Sequence, residues 1–84
     1  MNKQINCDYT KYNIKEALEE LQKLYLKIEN FTEFDEIDLQ ISLEQIYHHL
    51  NTSWNARYSS KKEAEECSEK NFEHWRKFPV ELNL

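Results

Sequence analysis

The clearest pattern in the chain is a run of apolar residues at helical period in its first third. Ile14, Leu18, Leu21, Tyr25 and Ile28 are spaced 4, 3, 4 and 3 apart, and Ala17, Leu24 and Phe31 recur at sevens on the neighbouring stripe. Together they make one wide apolar face, which predicts a helix over about 13–30 with that face turned to the core. Glu16, Glu19, Glu20, Lys23 and Lys27 take the outer face, acidic residues early and lysines late, as the helix dipole favours. Glu19–Lys23 and Glu20–Lys23 are favourably spaced pairs. Asn13, three before Glu16, has capping-box spacing, and Thr10 between Tyr9 and Ile14 is a rival cap. Residues 1–12 then form a polar arm that packs through Tyr9 and Tyr12.

The next stretch supports two templates. Ile37, Leu39, Ile41 and Leu43 alternate with polar residues, as in a strand, but no second strand is present to pair with it. Ser42 and Gln45 form a capping box, with Ile41 and Ile46 as its hydrophobic staple. A second helix over about 43–58 follows, carrying Leu43, Ile46, Tyr47, Leu50, Trp54 and Tyr58 on one stripe. Residues 36–42 stay open between an extended segment and an earlier turn of that helix. Ser60 and Glu63 form a further capping box, which starts a third helix over about 61–77. Its inner face is thinner: Ala64, Cys67, Ser68, Phe72 and Trp75, then Phe78. Pro79 ends it, and the tail 80–84 is placed back over the bundle.

The fold class is therefore all-α: one small domain, residues 1–84, of three antiparallel helices, with a polar N-terminal arm and a short C-terminal tail. Composition agrees. The 84 residues include no Gly and one Pro, which excludes folds that need glycine for φ > 0 or for close backbone approach to phosphate. A core of this size is marginal, so a homodimer through the heptad-like face of the first helix is a further route to stability.

Charge narrows the function. Sixteen acidic residues against eleven basic give a net charge of −5, the wrong sign for a sequence-independent nucleic-acid binder. No apolar run is long enough to span a membrane, and the first residues lack the apolar stretch of a signal peptide, which points to the cytoplasm and to reduced Cys7 and Cys67.

Candidate chemistry is sparse. His48, His49 and His74 lack zinc-ligand spacing, so no metal site or cofactor is expected; His48 is read as facing solvent and His49 as bordering the core. Cys67, on an inner face, is an inert thiol rather than a nucleophile. A bundle of this size offers little room for a pocket of several hundred Å³, and no enzymatic activity is expected. Trp54, Arg57, Tyr58, Lys61 and Lys62 interleave rings with cations as a base-stacking platform does, but these rings lie on core stripes and Arg57 and Arg76 suit ring faces or glutamates.

The acidic connector is the candidate site. Glu33, Asp35, Glu36 and Asp38 surround Phe34, a carboxylate rim about an apolar anchor. These features point to a non-catalytic acidic binding protein. The expected form is a stoichiometric inhibitor of the immunity-protein or antitoxin type, masking a basic partner such as a toxin nuclease. That reading rests on size and charge, by analogy. The alternatives are an adaptor or subunit that docks a helical face into a larger complex, and a small nucleic-acid-associated regulator.

Overall fold

The computed structural model describes residues 4–66 and 68–78. They form four helices and no strand: α1 (Cys7–Asn30), α2 (Glu36–Asn55), α3 (Lys61–Glu66) and α4 (Glu69–Trp75). Cys67, Pro79 and the tail 80–84 lie outside the described residues.

Three expectations about helix ends change. α1 begins well before residue 13, so most of the supposed arm is helical. Its cap is Asn6, whose side chain accepts from the Tyr9 backbone N–H at 3.2 Å, and neither Asn13 nor Thr10 is a cap. α2 begins at Glu36, which settles residues 36–42 as helix. Asp35 caps it: its side chain accepts from Asp38 N–H at 2.9 Å, and Asp38 Oδ2 accepts from Asp35 N–H at 3.3 Å. This capping box lies seven residues upstream of the one predicted at Ser42. The third predicted helix is two short ones, because Ser68 starts a new cap and accepts from Asn71 N–H at 3.2 Å. α3 carries little but Ala64 to hold it against a neighbour, which leaves nothing to keep the pair in one rod. The Ser60–Glu63 box does form, with bonds of 2.9 and 3.1 Å.

α1 and α2 are an antiparallel hairpin. Late α1 meets early α2 through Lys27 and Asp38, 3.2 Å apart. Early α1 meets late α2 through Asn13 and His49, 3.1 Å apart. Asn6 ties the same end shut, donating from its backbone N–H to the Arg57 carbonyl at 2.7 Å and from Nδ2 to the Ser59 carbonyl at 3.1 Å. This register sets Ala17 level with Ile46 and Leu24 level with Leu39. Ala17, Leu24 and Ile46 are buried, so the seam is narrow and partly made of small or polar side chains.

α4 docks on α2 by a different device. Asn51 Nδ2 donates to the Arg76 carbonyl at 2.8 Å, and Asn55 Nδ2 donates to the Trp75 and Lys77 carbonyls at 2.9 and 2.6 Å. Two amides thus satisfy carbonyls that the end of a helix leaves unpaired. Trp75 is buried there and meets the Tyr9 ring, centroids 5.8 Å apart.

The largest correction concerns the first helix's apolar stripe. Ile14, Leu18, Leu21, Tyr25 and Ile28 are exposed, and α1 faces α2 through Asn13, Ala17 and Leu24 instead. The reason is topological. α4 is held by the asparagines on the opposite side of the hairpin, so no described segment covers the wide stripe. Tyr47, Leu50, Tyr58 and Phe78, also read as core, are exposed as well.

Candidate functional site

Three regions of the surface carry chemistry. The first is the acidic connector between α1 and α2. Its carboxylates divide into two kinds. Asp35 and Asp38 build the α2 capping box, and Asp38 also receives Lys27 Nζ. The Lys27 hydrogen bond, then the Asp35 backbone N–H, hold the Asp38 carboxyl below its ordinary pKa. Glu33 and Glu36 are exposed; Phe34 is half-buried, and Phe31, at the end of α1, is exposed. The sequence thus placed five residues together at one tip of the hairpin, two of which have a structural job in starting α2.

The second region is a cleft of about 620 Å³ on the side of the hairpin where α3 and α4 lie. Its volume exceeds what the chain length suggested. Its floor is polar and aromatic. Asn13, 2 % exposed, donates from Nδ2 to the Tyr9 carbonyl at 3.0 Å, which turns its Oδ1 toward His49 Nδ1. An amide oxygen only accepts, so His49 Nδ1 carries a proton. His48 lies between the rings of His49 and Phe72, with centroids 4.8 and 4.7 Å away. It is half-buried rather than solvent-facing. Burial first, then the positive potential of His49 and Arg76, lowers its pKa. His48 Nδ1 is buried and has no hydrogen-bond partner among the described residues. The sequence reading did not find this cleft. Asn13, a buried amide within a helix and one turn from Tyr9, was the available signal.

The basic and aromatic segment forms a local stack. The Arg57 guanidinium lies 3.9 Å from the centre of the Trp54 ring and 4.9 Å from that of Tyr58, and Arg76 lies 5.3 Å from the centre of Phe72. Those rings are used within the fold, as cation–π partners. Among the described residues, no group of three or more His, Cys, Asp or Glu side chains is arranged to hold a metal ion, and no helix is long and apolar enough to cross a membrane.

The third region is the uncovered side of the hairpin. On α1 the exposed stripe lies about a quarter turn from the line Asn13–Ala17–Leu24 that meets α2. On α2, Leu43, Tyr47, Leu50 and Trp54 lie about a quarter to a third of a turn, in the same sense, from Asp38, Ile46 and His49, which face α1. In antiparallel helices, equal turns of the same sense point to the same side. The two stripes therefore form one apolar surface, away from α4. A shallow groove runs along it beside Leu18, Leu21 and Tyr25.

Comparison of the chain with protein-family models, with curated proteins and with solved structures gives no match.

Proposed function

We propose that the protein is a non-catalytic binding module whose docking surface is the apolar side of the α1–α2 hairpin. One observation carries this reading: Ile14, Leu18, Leu21, Tyr25 and Ile28 on α1, with Tyr47 and Leu50 on α2, are all exposed. Monomeric proteins rarely leave a contiguous apolar patch above a few hundred Å² uncovered, and such patches mark interaction sites. This favours the expected alternative, a helical face docked into an assembly, over a purely charge-driven contact. The cleft beside His48 and His49 leaves this reading intact, since Asn13 and His49 pair with each other and the His48 ring packs on Phe72 within the fold.

A second reading retains the acidic inhibitor. It is supported by the exposed Glu33 and Glu36 at the hairpin tip beside exposed Phe31. There, carboxylates would steer a basic protein such as a toxin nuclease, with Phe34 as the apolar anchor. Net charge −5 suits that partner and opposes nucleic acid.

A comparative capture experiment separates them. Tagged wild type, Leu21→Glu and the double variant Glu33→Lys/Glu36→Lys are presented to host lysate at low and high salt. Proteins lost with Leu21→Glu and indifferent to salt support the apolar face. A basic protein lost with the double variant and weakened by salt supports the inhibitor. Asp35 and Asp38 are left intact, because their replacement would unpick the α2 cap.

A further inference from the structure

We infer that the apolar side of the hairpin is covered by a second copy of this chain, with α1 packed antiparallel on α1 about a two-fold axis beside Leu21. This rests on the reading of that side as a docking surface and names its occupant.

Spacing is the first observation. The 4-3-4-3 run from Ile14 to Ile28 is the a/d seam of a helix that packs lengthwise on another helix. α2 does not use that seam, since it meets α1 through Asn13, Ala17 and Leu24. The run is also nearly symmetric about Leu21. An antiparallel copy sets Leu21 against itself, Leu18 level with Tyr25 and Ile14 level with Ile28. A symmetric interface must be self-complementary in this way.

Charge is the second. Along the outer flank of the stripe, Lys11 and Lys15 lie toward the start of α1 and Glu29 toward its end, all exposed. Antiparallel pairing about Leu21 brings Glu29 of each copy level with the gap between Lys11 and Lys15 of the other. Parallel pairing would put lysines beside lysines. The flank therefore selects the antiparallel arrangement, as e and g charges do in coiled coils.

Area is the third. The seven exposed side chains run from 42 % (Leu50) to 63 % (Tyr25) accessible. With a fully exposed large side chain near 200 Å², they offer roughly 700 Å² per copy, against about 800 Å² for a standard specific interface. The aliphatic stems of Lys11 and Lys15 add to that. Two hairpins joined through this side make a four-helix core, the burial that a single narrow seam lacks.

Sedimentation equilibrium of the full chain from micromolar to several hundred micromolar tests this. The expected result is a species of about twice the 10.3 kDa chain mass, with Leu21→Glu raising the dissociation constant about 100-fold, since it sets two carboxylates together on the axis. Circular dichroism should be unchanged in that variant, because Leu21 is exposed in the single chain. Glu29→Lys should weaken the dimer, and Lys11→Glu/Lys15→Glu added to it should restore the affinity, which a purely structural role would not do. A monomer at every concentration overturns the inference. So does a dimer indifferent to Leu21→Glu, because it would use another face. If the chain is monomeric yet a different protein is captured through the Leu21 side, the docking reading stands and only the identity of the occupant falls. If neither occurs, both fall.

Discussion

On one side of the hairpin, Asn51, Asn55 and Tyr9 meet α4; on the other, Ile14, Leu18, Leu21, Tyr25 and Ile28 meet solvent. The covered side is built from amide-to-carbonyl bonds of 2.6–2.9 Å and two rings 5.8 Å apart. The bare side holds the exposed apolar stripe and, among the described residues, none of those amide bonds. Hydrophobic attraction is proportional to area and indifferent to direction, whereas an asparagine amide accepts only one placement of its carbonyls. In this chain the directional contacts decided where α4 goes. The apolar stripe of α1 was left uncovered by any described segment.

The contrast is broken most directly at Trp75. Trp75→Ala removes a buried indole and should cost about 3–5 kcal/mol in urea unfolding, since it leaves a cavity between α2, α4 and Tyr9. Leu18→Ala, on the bare side, should change the stability of the isolated chain by no more than about 0.5 kcal/mol at concentrations where it is monomeric. Equal losses from both would mean that the bare side is covered within the chain.

The seam between the sides is tested next. Asn13→Ala removes an amide that satisfies both His49 Nδ1 and the Tyr9 carbonyl. The Tyr9 carbonyl keeps its helical partner, the backbone N–H of residue 13, but leaving the part-buried His49 Nδ1 unpaired should cost about 1–3 kcal/mol. His49→Ala in the Asn13→Ala background should then cost less than it does alone, and a double-mutant cycle measures the coupling. Asp35→Ala, which uncaps α2 at the hairpin tip, should cost about 1 kcal/mol, whereas Glu36→Ala should stay within about 0.5 kcal/mol. If the two were equal, the division of the acidic tip into structural and free carboxylates would be wrong.

Much of this was legible beforehand, and the failures have physical causes. The existence of α1 and α2 follows from long apolar periods, which few other structures imitate. The start of α1 was misplaced because Asn6 and Asn13 both suit a cap, and only the backbone's turn at Asn6 decides between them. The cap of α2 was overlooked because its third residue is Asp38 rather than Glu or Gln. The buried face of α1 was misassigned for a deeper reason. Periodicity finds the apolar face of a helix but does not say whether its partner is the same chain. The split of the third helix follows from α3's scant apolar content, visible in Lys61–Glu66, against a Ser68 cap that sequence spacing did not separate from the interior of one helix. At the candidate tip, the position of the carboxylates was clear and their division of labour was not, since capping is a matter of angles.

The finest test of the comparison lies in the cleft and is read as a slope. His48 is held below its ordinary pKa by burial between His49 and Phe72, then by the positive charge of His49 and Arg76. A histidine whose pKa is lowered in the folded state binds fewer protons there than in the unfolded chain. Stability should therefore be full above the unfolded pKa of about 6.5 and fall as the pH drops below it. The fall should level off once the pH passes the lowered folded value. Asp38, also lowered, contributes in a separate window, its stabilisation lost only as the pH falls through the carboxylate range. Chemical unfolding at pH 7.5 and 5.5 isolates the histidine. His48→Phe keeps an aromatic ring against Phe72 and should flatten the difference between the two pH values. An unchanged slope in His48→Phe would move the titrating group elsewhere, and the cleft would lose its part in holding α4 to the covered side.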